Sequence, residues 1–84
     1  MCVNKFPIKI VKREVDMKLE DFGLNVAKAR IKKNISAYEL SLRLGKDPSY
    51  VNKLENGKIN VSLKMIIAIA ECLEVSIESL FAGE

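Results

Sequence analysis

Residues 36–58 read SAYELSLRLGKDPSYVNKLENGK, and this stretch decides how the chain folds. Ser36 followed three residues later by Glu39 is a capping box: the hydroxyl accepts from one unpaired helix amide and the carboxylate reaches back to another. Ala37, Leu40, Ser41 and Leu44 then recur at helical spacing and form one inner face. Gly45 stops this helix, because it adopts a left-handed backbone without steric cost. Two residues on, Asp47 suits an N-cap and Pro48 suits the first helical position, where its missing N–H is not needed. A following helix is therefore expected from Pro48 to about Glu55, ended by Asn56-Gly57.

On that helix Val51 and Leu54 share one side, flanked by Tyr50, and anchor it to a core. The opposite face carries Ser49, Asn52, Lys53 and Asn56 at i, i+3, i+4 and i+7. All are hydrogen-bonding side chains, and the only charge among them is positive. Asn pairs bidentately with adenine, Lys donates to guanine acceptors and Ser tolerates either, so this face suits base edges in a major groove. Taken alone, the same four residues also fit a plain solvated surface. The pairing of two capped helices across a short Gly turn, with small residues at Ala37 and Ser41 where they must cross, argues for a helix-turn-helix unit.

The flanks supply the rest of a helical domain. Leu19, Phe22, Val26 and Ala29 line one face of a first helix ending near Asn34, with Arg30 at its inner edge. Ser62 caps a helix over Leu63–Leu73 that is apolar nearly all round, as expected of a central core element or one covered by a partner. Ser76 caps a short last helix, IESLF. Its Ile77, Leu80 and Phe81 offer apolar surface for a second copy, or else fold back onto the core. Glu55, beside core Leu54, is placed to pair bidentately with Arg30 as a structural brace.

Two features fall outside this unit. KFPIKIVKREV, residues 5–15, carries Phe6, Ile8 and Ile10 in alternation, which fits a short strand that Pro7 confines to a sheet edge. Leu24, Ala27 and Ile31 form a second apolar stripe on the first helix, so the two rows are expected to cover one another. The competing reading takes Met17 as the true start and residues 1–16 as a disordered leader. The domain division is accordingly 1–17 for an N-terminal extension and 18–84 for the helical domain.

Composition narrows the function classes. The 84 residues are 49% hydrophobic and 6% aromatic, a balance that suits one small helical domain. Histidine is absent, which removes the commonest general base, and no carboxylate pair or Ser/Lys spacing replaces it, so the chain is not expected to be an enzyme. Cys2 and Cys72 have no metal-ligand spacing and read as thiols of a reducing, cytoplasmic compartment. No apolar run approaches ~20 residues, so no membrane span is expected. The net charge is +3, but residues 28–58 hold eight Lys or Arg against three acids, and residues 59–84 hold one Lys against four Glu. A polyanion is drawn to the middle of the chain.

The 36–58 stretch resembles the helix-turn-helix of the Cro/cI-type phage repressors and their bacterial relatives, the XRE family. SLKMIIAIAECLEVSIESLF, residues 62–81, resembles the remaining two helices of that lambda-repressor-like domain. The resemblance implies an all-α, five-helix domain that binds double-stranded DNA as a homodimer on a near-palindromic operator, without cofactor, metal or evident small-molecule effector. It places Pro48, Ser49, Asn52 and Lys53 at bases and Tyr50, Asn56 and Lys58 at phosphates, with Lys46 and Arg43 adding positive charge there. The family often has Gln where this chain has Ala37, so that contact is lost or passes to Tyr38 or Arg43. Pro48 likewise offers no polar group, which moves readout to Ser49, Asn52 and Lys53. The expected function is a transcriptional regulator, either a phage-type repressor or a restriction-modification controller. The alternative is a protein-interaction module, such as an antitoxin, that keeps the fold.

Overall fold

The computed structural model describes residues 19–82, and its five helices there are α1 (Leu19–Lys32), α2 (Ala37–Arg43), α3 (Tyr50–Glu55), α4 (Leu63–Leu73) and α5 (Ile77–Ala82), with no strand among the described residues. Three of them start at serine hydroxyls. Ser36 Oγ accepts from Glu39 N at 3.0 Å, Ser62 Oγ from Met65 N at 3.1 Å and Ser76 Oγ from Ser79 N at 3.2 Å. Each satisfies one amide that the first turn cannot pair internally. The capping box at Ser36 is only half made, because the Glu39 carboxylate turns forward to Arg43 Nε at 2.9 Å. An opposite charge one turn along attracts it more than a neutral amide does.

The helix ends follow the same logic. Gly45 takes φ +75°, Gly45 N donates to Leu42 O and Lys46 N donates to Ser41 O, both at 3.0 Å. That pair of bonds closes α2 on its own last carbonyls. Asn34 ends α1 in the left-handed region at φ 63°, a conformation asparagine tolerates better than most residues.

Phe22, Val26, Leu40, Val51, Leu54, Ile69, Ala70, Leu73 and Leu80 are buried, so every helix contributes to one core. Within α4 only Ile69, Ala70 and Leu73 are buried, while Leu63 remains 68% exposed. The all-round apolar character of α4 is thus not matched by all-round burial. On α1 the expected inner face holds at Phe22 and Val26 but frays at Leu19, which is exposed, and Leu24 and Ile31 face outward as a separate stripe.

Leu80 departs from its expected place at a dimer surface. It is 0% exposed within the single chain, because α5 turns back onto α1 and Asn25 Nδ2 donates to Leu80 O at 2.7 Å. Phe81 packs its ring 5.2 Å from that of Phe22 yet stays 45% exposed, and Ile77 is 38% exposed. Phe6, Ile8, Ile10, Cys2 and Met17 lie outside the described residues, and with them the strand and leader readings.

Candidate nucleic-acid interface

α3 has six residues, too few to hold a helix by local bonds alone, so its geometry depends on what surrounds it. The regular helix begins at Tyr50, two residues later than its capping signals suggest. Residues 47–50 instead form a hydrogen-bonded turn, with Tyr50 N donating to Asp47 O at 3.1 Å. Proline favours the second position of such a turn, where Pro48 stands. The Asp47 carboxylate still caps: Oδ1 accepts from Ser49 N at 2.8 Å and from Ser49 Oγ at 2.7 Å. Those two bonds, the hydroxyl's foremost, hold the Asp47 carboxyl below its ordinary pKa.

The next amide is satisfied from the neighbouring helix. Ser41, 0% exposed on α2, donates its hydroxyl to Ala37 O at 2.8 Å and accepts from Val51 N at 2.9 Å. One buried hydroxyl therefore joins α2 to α3 at their crossing. α3 meets α1 just as closely at its other end. A Cβ at Gly23 would lie 2.5 Å from the Glu55 carbonyl oxygen and 2.6 Å from that of Leu54, so only glycine lets the two backbones approach. Beside this contact Arg30 Nε donates to Glu55 Oε2 at 2.7 Å and Arg30 Nη2 to Glu55 Oε1 at 3.1 Å. Arg30 Nη1 donates to Ile35 O at 2.8 Å, so the guanidinium ties α1, the loop before α2 and α3 together. The Glu55 hydrogen bond raises the Arg30 pKa against the opposing effect of burial.

With Val51 and Leu54 buried inward, Pro48, Ser49, Asn52, Lys53 and Asn56 are all exposed. Ser49 already donates to Asp47, so its oxygen lone pairs are what it presents outward. Asn56, expected at a phosphate, instead donates Nδ2 to Asn52 O at 2.7 Å and to Asn52 Oδ1 at 2.9 Å. Both acceptors belong to Asn52, one turn back along the chain. Tyr38 and Arg43 on α2, and Lys46 and Lys58 in the segments before and after α3, are exposed as well. Lys46 Nζ sits 5.4 Å from the Tyr50 ring centroid, and burial raises the Tyr50 pKa, keeping it a neutral donor. Arg43 is paired with Glu39, an exposed i, i+4 pair worth only about 0.3–0.5 kcal/mol.

Ser41 entered the sequence reading only as a small residue, and Gly23 and the Asn56–Asn52 bonds did not enter it. A serine in the middle of an otherwise apolar face was the available signal for the first. Among the described residues no group of His, Cys, Asp or Glu could hold a metal ion, and no helix is long and apolar enough to cross a membrane.

A short helix held from two sides, with a polar free face that carries Lys53 and with exposed cations in the flanking segments, belongs to the DNA-binding transcription regulators. The helix-turn-helix family's sequence model matches residues 26–80, and the chain belongs to that family, in its XRE branch. Among solved structures it is similar to the restriction-modification controller protein C.AhdI from Aeromonas hydrophila, at 35% identity and a TM-score of 0.69, over 74% of this chain and 90% of that one. No curated protein matches the chain.

Proposed function

We propose that the chain binds a near-palindromic DNA operator as a homodimer and regulates transcription in the manner of a restriction-modification controller. The observation that carries this reading is the outward surface of α3: polar residues outward, and the helix joined to α2 through Ser41 and to α1 through Arg30 and Gly23. Rigid presentation lets side chains meet base edges in a fixed register, which base discrimination requires. Lys53, Asn52 and Ser49 read bases, Pro48 contributes only apolar contact, and Arg43, Lys46, Lys58, Tyr38 and Tyr50 contact phosphates. Residues 18–84 form the DNA-binding domain, with residues 1–17 as an extension. Ile77 and Phe81 supply apolar surface to the dimer, while Leu80 supports them from inside. Two α3 helices about 34 Å apart then enter successive major grooves.

Selection of bound sites from random-sequence duplex DNA tests the reading. A two-fold symmetric motif is expected, with Lys53→Ala costing about 1–3 kcal/mol at one base pair per half-site. Failure of the intact chain to enrich any sequence would end the proposal. Uniform weakening of all sequences by Lys53→Ala would remove Lys53 from base reading.

A further inference from the structure

The Asn52–Asn56 pair bears on which base the surface reads. Asn56 Nδ2 lies 2.7 Å from the backbone carbonyl oxygen of Asn52 and 2.9 Å from its side-chain oxygen. A backbone carbonyl only accepts, so the Asn56 atom facing it must be the amide nitrogen, which settles how the Asn56 amide is turned. That nitrogen only donates, and it also lies within hydrogen-bond distance of the Asn52 side-chain amide. The Asn52 atom at 2.9 Å is therefore its acceptor, Oδ1, which is turned toward Asn56, while both hydrogens of the Asn52 NH2 are left for an outside partner.

An asparagine that reads adenine uses both ends, donating to N7 and accepting from the N6 amino group. Asn52 has its accepting end turned along the helix toward Asn56. We infer that Asn56 is a positioning residue that fixes Asn52 as a hydrogen-bond donor, so that α3 reads the acceptor edge of guanine there instead of pairing with adenine. The inference rests on the base-reading role of α3 proposed above. It also gives the Asn56 NH2 a role other than phosphate contact, since that group is turned to Asn52.

Site selection from random duplex DNA, run on the wild-type chain, Asn52→Ala, Asn56→Ala and Asn56→Asp, tests it. The position whose preference disappears in Asn52→Ala is the one Asn52 reads. Guanine is expected there for the wild type. In Asn56→Asp the carboxylate accepts from the Asn52 NH2 and turns Oδ1 outward, so guanine enrichment at that position should fall at least about fivefold in favour of adenine or cytosine, whose amino groups donate. Asn56→Ala removes the clamp without adding charge, and should relax guanine to a mixture of guanine and adenine with the melting temperature preserved. Adenine selected by the wild type at that position would overturn the inference. So would an unchanged base profile in both Asn56 variants with all affinities lowered equally, the signature of a phosphate contact. A wild-type chain that selects no sequence overturns the base-reading proposal itself, and this inference with it.

Discussion

Ser41 shows how much one side chain decides. Its hydroxyl is fully buried between α2 and α3, donating to Ala37 O and accepting from Val51 N. Removing it leaves the Val51 N–H in the interior with no acceptor, and an unmet buried donor costs about 1–3 kcal/mol. Ser41→Ala should therefore lower the urea midpoint by that amount of stability, despite alanine's better helix propensity. A change within error would mean that water or a backbone shift restores the bond. Gly23 acts by having no side chain at all. The Glu55 and Leu54 carbonyls occupy the space a Cβ would take, so the nearness of α1 to the recognition helix depends on that single position.

At the scale of elements, α3 is the dependent one. Its six residues cannot repay nucleation by themselves, and its first amides are met by Asp47 and by Ser41. The Asp47 carboxyl is held below its ordinary pKa by Ser49, so the native state binds its proton less readily than the unfolded chain does. That stability is present above the ordinary carboxylate range and is lost as pH falls through it toward the depressed native value. Asp47→Ala should consequently destabilise the chain at neutral pH and narrow the difference between variant and wild type in acid. Thermal melts of both chains between neutral and strongly acidic pH check this; a constant gap would remove the carboxylate from the cap. α5 depends on tertiary contacts too, with Leu80 buried against the core and its carbonyl held by Asn25.

For the molecule as a whole, the Arg30–Glu55 pair joins parts of the chain 25 residues apart. The two side chains are 15% and 12% exposed, so the pair is nearly but not wholly desolvated. Glu55→Ala should cost about 2–4 kcal/mol, toward the lower side of what breaking a fully buried pair costs, because some water reaches the stranded guanidinium. Chemical denaturation checks the magnitude, and a loss below about 1 kcal/mol would class the pair with ordinary surface bridges. The charge asymmetry belongs to this scale as well. Binding should weaken steeply with salt, and Lys46→Ala should reduce the slope of log K against log salt by about 1 per bound protomer while weakening all sequences alike. An unchanged slope would place Lys46 away from phosphate.

Most of the helical plan was legible in residues 36–81 because caps, Gly45 and the apolar spacing are local, and the physics that reads them is local. Ser36, Ser62 and Ser76 each cap where their spacing says. The start of α3 was misplaced by two residues, since Asp47 and Pro48 serve a turn as well as they serve a first helical turn. Leu80 could not be assigned from its apolar character, which suits a core and a dimer surface equally; the return of α5 onto α1 decided it. The Asn52–Asn56 bonds lay at readable i, i+4 spacing, but their direction depends on which oxygen the amide meets. The sequence by itself determined the order of helices, where each begins and ends to within a turn, and the polar residues on α3, because these depend on neighbours in the chain. Only the tertiary structure decided which buried groups complete α3 and how closely α1 approaches it, because those depend on atoms brought together from distant positions.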